Sequence, residues 1–94
     1  MSDVGAVEHD TLGNRFVIKL QGTEAVLRYR QHDQVIDFYS TFVPEELRGR
    51  GLAEQLCKTA FEYAKAQHLT VAPSCSYISG AYLKRHPEYV PLTQ

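Results

Sequence analysis

Polar and apolar residues alternate through the first half of the chain. In Arg15–Leu20, Phe16, Ile18 and Leu20 share one face, while Arg15 and Lys19 share the other. This period of two predicts a half-buried strand. Residues 24–30 repeat the pattern, with Ala25, Leu27 and Tyr29 inward and Glu24, Arg28 and Arg30 toward water. Leu12-Gly13-Asn14 is a turn signal, so residues 4–9 are a candidate first edge strand. Gln21-Gly22-Thr23 and His32-Asp33-Gln34 are the short connections expected of hairpins. Residues 35–43 are apolar on both faces, with Ile36, Phe38 and Phe42 opposing Val35, Tyr39 and Val43. That pattern predicts a central strand covered on both sides.

The period then lengthens. Leu52, Ala53, Leu56, Cys57, Ala60, Phe61 and Ala64 recur at three- and four-residue spacings, with Glu54, Gln55, Lys58, Glu62 and Lys65 opposite. Residues 51–67 are therefore expected to form an amphipathic helix. A short strand over 68–72 stops at Pro73. Strand, helix and strand make a βαβ unit, whose right-handed crossover sets the two strands parallel. A last helix over 76–85 ends before Pro87, and the tail 87–94 reads as irregular. The expectation is an α+β fold in a single domain, 1–94. Its mixed sheet has an antiparallel N-terminal meander, then a parallel βαβ unit, with two main helices.

Composition narrows the function classes. Of 94 residues, 44% are hydrophobic, enough for one modest core. Ten basic against eleven acidic residues give a net charge of −1, which argues against a nucleic-acid partner. No apolar run approaches the roughly 20 residues of a membrane span. Met1-Ser2-Asp3-Val4-Gly5 lacks the pattern of a signal peptide, and Cys57 and Cys75 form neither a disulfide framework nor a CxxC pair. A reduced, cytoplasmic protein is the expectation. His9, His32, His68 and His86 are scattered without metal-ligand spacing.

The junction of central strand and helix carries the chemistry. Gly49 and Gly51 precede the helix, so backbone amides can approach a ligand without interference from Cβ atoms. A helix N-terminus presents unpaired N–H groups and partial positive charge, which suit phosphate, and Arg48 and Arg50 add cationic character. The spacing fits a pyrophosphate site; it also fits glycines that only end a loop and open a helix. A dinucleotide fingerprint is excluded, because Glu54 stands where its third glycine belongs, and no Gly-Lys followed by Ser or Thr makes a P-loop.

Arg48-Gly49-Arg50-Gly51-Leu52-Ala53 resembles the Arg/Gln-x-x-Gly-x-Gly/Ala motif that GNAT-superfamily acetyltransferases carry at this junction. The preceding Phe42-Val43-Pro44-Glu45-Glu46-Leu47 is similar to the strand end and loop that introduce it. The resemblance spans roughly residues 36–85 and is nearest the short YjdJ-like subgroup. It implies that Arg48, Gly49, Arg50, Gly51, Leu52 and Ala53 cradle the pyrophosphate of acetyl-coenzyme A, with no metal. It further implies an acetyl transfer to an amine whose identity the motif does not give.

Many members carry, after the second strand, an asparagine and then a tyrosine seven residues on, near the cofactor sulfur. Tyr82 matches the tyrosine, and Cys75 replaces the asparagine. The Gly-Phe usual after the tyrosine is His86-Pro87 here, a second departure. By the resemblance Tyr82 protonates the leaving thiolate, which a phenol near its ordinary pKa of about 10 suits; its other reading is a buried helix aromatic. Cys75, at a helix start whose dipole favours thiolate, has three readings: attack on the thioester, contact with the pantetheine arm, or a small buried apolar residue. Cys57 lies on the apolar helix stripe and reads as core. Asp37 is an odd acid among apolar neighbours, at a position where some relatives carry a catalytic carboxylate. Glu45 and Glu46, at the helix entrance, fit dipole stabilisation better than base catalysis. The missing asparagine and the absence of room at 20–24 for the two helices that typical relatives carry leave a second class open. That class is a module that binds coenzyme A or its thioester without turnover.

Overall fold

A computed structural model describes residues 6–94. Five strands run in sheet order as in sequence: β1 (Glu8–Asp10), β2 (Arg15–Leu20), β3 (Thr23–His32), β4 (Val35–Phe42) and β5 (Thr70–Ala72). The first four pair antiparallel and β5 joins β4 in parallel, as the βαβ reading requires. The expected edge strand at 4–9 lies partly outside the described residues, and β1 begins at Glu8. Gln21 and Gly22, both at positive φ (54° and 76°), form the two-residue turn between β2 and β3. Their left-handed pair matches the twist of a hairpin.

Helix α1 (Leu52–Ala66) lays Leu52, Leu56, Cys57, Ala60, Phe61 and Ala64 against one face of the sheet. There they meet Phe16, Ile18, Leu27, Tyr29, Ile36 and Phe38 in a single core. The last helical run, residues 76–85, packs on the same core through Ile78, Tyr82 and Leu83. It opens into a π-turn over Ile78–Tyr82, with Gly80 at its centre.

Three expectations are corrected. Strand β4 is covered on one face only: among the described residues both helices belong to the same core. Tyr39 and Phe42 remain 38% and 53% exposed on the other side. A bulge at Tyr39 contributes, because the pairing with β3 shifts between Ser40 and Phe38 and alters the facing of the residues beyond it. The tail is ordered rather than irregular. Pro91 lacks the amide an α-helix would need inside the run, and Pro87–Leu92 winds as a 3₁₀ helix. Buried Tyr89 stacks on Phe61 at 5.0 Å, and the Gln94 amide donates to the Val71 carbonyl.

His68, expected in the strand, caps α1 instead. It adopts φ 58°, the Leu69 amide reaches the Ala64 carbonyl and the His68 amide reaches Lys65. This is a Schellman ending, with Leu69 buried as its hydrophobic contact. A left-handed histidine carries a steric cost that glycine does not. His68→Gly is therefore expected to raise the unfolding free energy by about 0.5–1 kcal/mol, as read from the midpoint of urea denaturation.

Candidate functional site

Two structural events meet at the C-terminal end of β4. The first is a fork. Thr70 donates its amide to the Gln34 carbonyl, and continued alternation would bring the Ser74 amide to the Phe38 carbonyl. Instead the Cys75 amide binds the Phe38 carbonyl at 2.9 Å, one residue late. Strand β5 has already ended at Ala72, while β4 continues to Phe42, so the two part beyond this bond.

The second is the glycine turn. Buried Leu47 anchors a 3₁₀ turn over Glu45–Leu47, and the Arg48 Nε donates to the Val43 carbonyl at 2.9 Å. Gly49 and Gly51 take φ of 82° and 75°. A Cβ at either position would meet no protein atom within 4 Å, so the space beside each backbone is open. The first bond of α1 runs from the Gln55 amide to the Gly51 carbonyl. The amides of Leu52, Ala53 and Glu54 thus have no acceptor inside the helix, and no side chain caps it. A groove of about 170 Å³ runs over this turn, bounded by Val43, Arg48, Gly49, Gly51, Ala53 and Tyr77. Open space, amides without helical acceptors and a helix dipole are features that suit an anion.

Glu54 falls on the solvent side of the helix pattern, yet it is the hub of the site. It borders the turn's groove and a second one of about 340 Å³, lined by Gln55, Lys58, Tyr82, His86, Glu88 and Tyr89. Its carboxylate accepts from Arg85, from Tyr77 at 3.3 Å, and pairs with the His86 Nε2 at 2.7 Å. The other His86 ring nitrogen lies 3.6 Å from Glu88. Burial pushes the Glu54 carboxyl upward. The His86 hydrogen bond and the charges of Arg85 and His86 outweigh that and hold it below its ordinary value. An acid in the first turn of one helix and Arg85-His86 at the end of another were the available signal; only the fold brings them together.

Tyr82 lies on the last helical run and Cys75 immediately before it, and the two residues named for chemistry have different surroundings. Tyr82 is 1% exposed, packed between Phe61 and His86 with ring centroids at 5.8 and 4.4 Å. Burial drives its pKa well above the ordinary phenol value, with Tyr89, Cys57 and Glu54 adding to the shift. It is thus a firmly protonated phenol, not one near its usual pKa. Cys75 is 7% exposed at the fork, its Sγ donating to the Thr41 Oγ1 at 3.5 Å. Cys57 is fully buried and its thiol is pushed far up, so it is core, as expected. His9 stacks on Phe16 and bonds the Tyr29 hydroxyl. Among the described residues no group of three or more His, Cys, Asp and Glu is placed to hold a metal, and no helix is long and apolar enough to cross a membrane.

Comparison with known proteins agrees with this geometry. Residues 15–92 match the family model of the GCN5-related N-acetyl-transferases. Protein NATD1 of Gallus gallus is 36% identical over 84 residues, covering 86% of this chain and 76% of the relative. The Danio rerio protein of the same name is 36% identical over 89 residues, covering 89% and 80%. The solution structure of a GCN5-like protein from Staphylococcus aureus superposes with a TM-score of 0.72 at 27% identity. That match covers all of this chain and 91% of the other.

The Glu54 cluster sets a pH dependence. A carboxyl with a lowered folded pKa contributes stability that is complete above its ordinary value and lost as pH falls through the folded one. Thermal stability should therefore drop as pH falls below about 4.5, the ordinary value. In Glu54→Gln the slope should flatten but persist, because Asp10, held down by Arg15, acts in the same direction. Melting temperatures from pH 6 to pH 3 for both proteins check this; identical slopes would show that Glu54 contributes nothing to the dependence.

Proposed function

The chain belongs to the GCN5-related N-acetyltransferase family, and from that premise we propose that it binds acetyl-coenzyme A and transfers the acetyl group to an amine. The observation that carries the reading is the left-handed turn at Gly49 and Gly51 opening α1 beside a groove. Arg48 to Ala53 hold the pyrophosphate through backbone amides, and the thioester reaches the fork beyond Phe38. There the amine nitrogen attacks the acyl carbon, the carbon–sulfur bond breaks, and the coenzyme leaves as thiol. One proton departs from the nitrogen and one arrives at sulfur.

Tyr82 supplies the hydrogen bond to the departing sulfur. Its raised pKa keeps the proton on the phenol until negative charge develops nearby. Holding the reactants together at the fork contributes much of the acceleration. A second reading is favoured by one observation, the Cys75 sulfur at the fork beside Thr41. In that route the Cys75 sulfur displaces the coenzyme thiol to give an acetyl-enzyme, which the amine then opens.

Two experiments decide among these. Gly51→Val should weaken coenzyme A binding at least tenfold by calorimetry. A Cβ at this position meets no protein atom within 4 Å, so the branch is directed at the ligand's space, and the strain of a left-handed valine is what circular dichroism and melting would register. Unchanged affinity would remove the pyrophosphate from this turn. With an amine panel, Tyr82→Phe should lower turnover about a hundredfold at unaltered coenzyme affinity, while Cys75→Ser stays active. The reverse pattern, with an acetyl adduct on Cys75 by mass spectrometry, would establish the two-step route. Coenzyme binding without turnover of any amine would leave a binding module.

A further inference from the structure

Strand β1 is the edge of the sheet on the side away from the fork. It gives three residues to β2, so its release would break that pairing and no other. Alternation divides its side chains between the two faces. Glu8 and Asp10 point away from α1. There Glu8 meets Lys19 only at 3.9 Å, with both side chains largely in water, while Asp10 binds Arg15 at 2.8 Å and accepts the Gly13 amide.

His9 alone of the three turns to the face that α1 covers. Its ring stacks on Phe16 at 4.2 Å and meets the Tyr63 ring edge-on at 4.6 Å. Its Nε2 and the Tyr29 hydroxyl share a hydrogen bond of 2.6 Å. Strands β2 and β3 and helix α1 thus each supply one wall of an aromatic box around a single imidazole. Val7, just before the strand, packs on the same core but is only partly buried. The hold of β1 on the helix side therefore rests mainly on His9.

An imidazole changes charge between about pH 5 and 8, unlike the carboxylates and the arginine around it. The neutral ring suits three aromatic walls, whereas the cation gives up water to stand among them. Asp10 is the charge that favours protonation, but it lies on the opposite face and is already matched by Arg15. The titratable groups facing the ring from the packed elements are Tyr29 and Tyr63, and burial pushes the Tyr29 phenol up. Burial outweighs Asp10 at the imidazole, which is held below its ordinary 6.5. A group depressed in this way contributes stability that is complete above 6.5 and lost as pH falls through the folded value.

We propose that His9 is a pH-sensitive latch, whose protonation on mild acidification releases β1 from the aromatic box and uncovers the outer edge of β2 while the rest of the sheet stays paired. Strands β2 to β5 keep their own ladders, because none of them runs through β1.

NMR of the full chain from pH 7.5 to pH 5 tests the latch. This range lies above the ordinary values of Asp10 (3.8) and Glu54 (4.5), both held lower still in the fold, so neither carboxyl drives a change within it. Protection of the β1–β2 amides from hydrogen exchange, corrected for the intrinsic effect of pH, should fall at least about threefold in the wild type. Its midpoint should coincide with the titration of the His9 ring. Amides of β3 and β4 should keep their protection throughout. In His9→Phe a ring that cannot take a proton fills the box and the other three histidines remain, so the loss at β1 should disappear. A His9 ring that titrates at or above 6.5, protection that does not change with pH, or an equal loss in both proteins would overturn the proposal. The first two results are read on the wild type and do not depend on the variant's folding.

Discussion

The hydrogen bond from the Cys75 amide to the Phe38 carbonyl decides how the rest of the site is arranged. A parallel pair left in register would run on, and its backbone groups would satisfy one another along the full length of β4. By arriving one residue late, Cys75 ends the pairing while β4 continues to Phe42, and the freed edge opens toward the glycine turn. The same step fixes the start of the last helical run, since the Cys75 carbonyl accepts from the Ser79 amide. Tyr77, Tyr82 and Arg85 are thereby carried across the first turns of α1. One slipped bond thus creates the opening and places its walls.

The glycine turn and Glu54 then oppose each other electrostatically. A carboxylate in the first turn of α1 stabilises the free helix through its dipole. The same charge would repel an anionic ligand bound to the neighbouring amides. Arg85 and His86 resolve the conflict by neutralising Glu54 from the far helix, in a cluster that also takes in the Tyr77 hydroxyl. The anchor between α1 and the last helix is therefore also the group that offsets the negative charge beside the free amides of the turn. It is only half-screened from water, so its strength depends on salt as well as on pH.

Periodicity was enough to place the three antiparallel-paired strands β2 to β4 and α1. The latter begins one residue after Gly51 and ends one before Gln67, because its apolar stripe is unbroken and flanked by glycine and a polar turn. The geometry of the glycine turn was legible for a similar reason: two glycines at a strand-to-helix junction mark the positions where the backbone takes a left-handed φ. What the sequence hid depended on contacts between distant segments. Asp37 stood out as an acid among apolar neighbours, but nothing in the sequence marks the bulge at Tyr39 that reverses the facing of the residues beyond it. The tail appeared irregular because its prolines mark only what it cannot form, whereas Tyr89 is held by an aromatic stack with Phe61 and Tyr82. His68 carries no compositional sign of a left-handed cap.

Among the described residues both helices are committed to one side of the sheet. On the bare side, ion pairs between neighbouring strands match the exposed charges without needing a second layer. Val17 and Val26 are the kind of small residues such a face can bury beneath its own long side chains. Tyr39 and Phe42 are not, since each is large and leaves much of its ring in water. Each still makes contacts of its own on that face: Arg30 lies over the Tyr39 ring at 4.4 Å, and Phe42 pairs across the strands with Val26, which is 7% exposed. A cation over a ring and an apolar cross-strand pair both stabilise a sheet face that neither helix covers, so these aromatics do part of the work of a second layer at the end of β4.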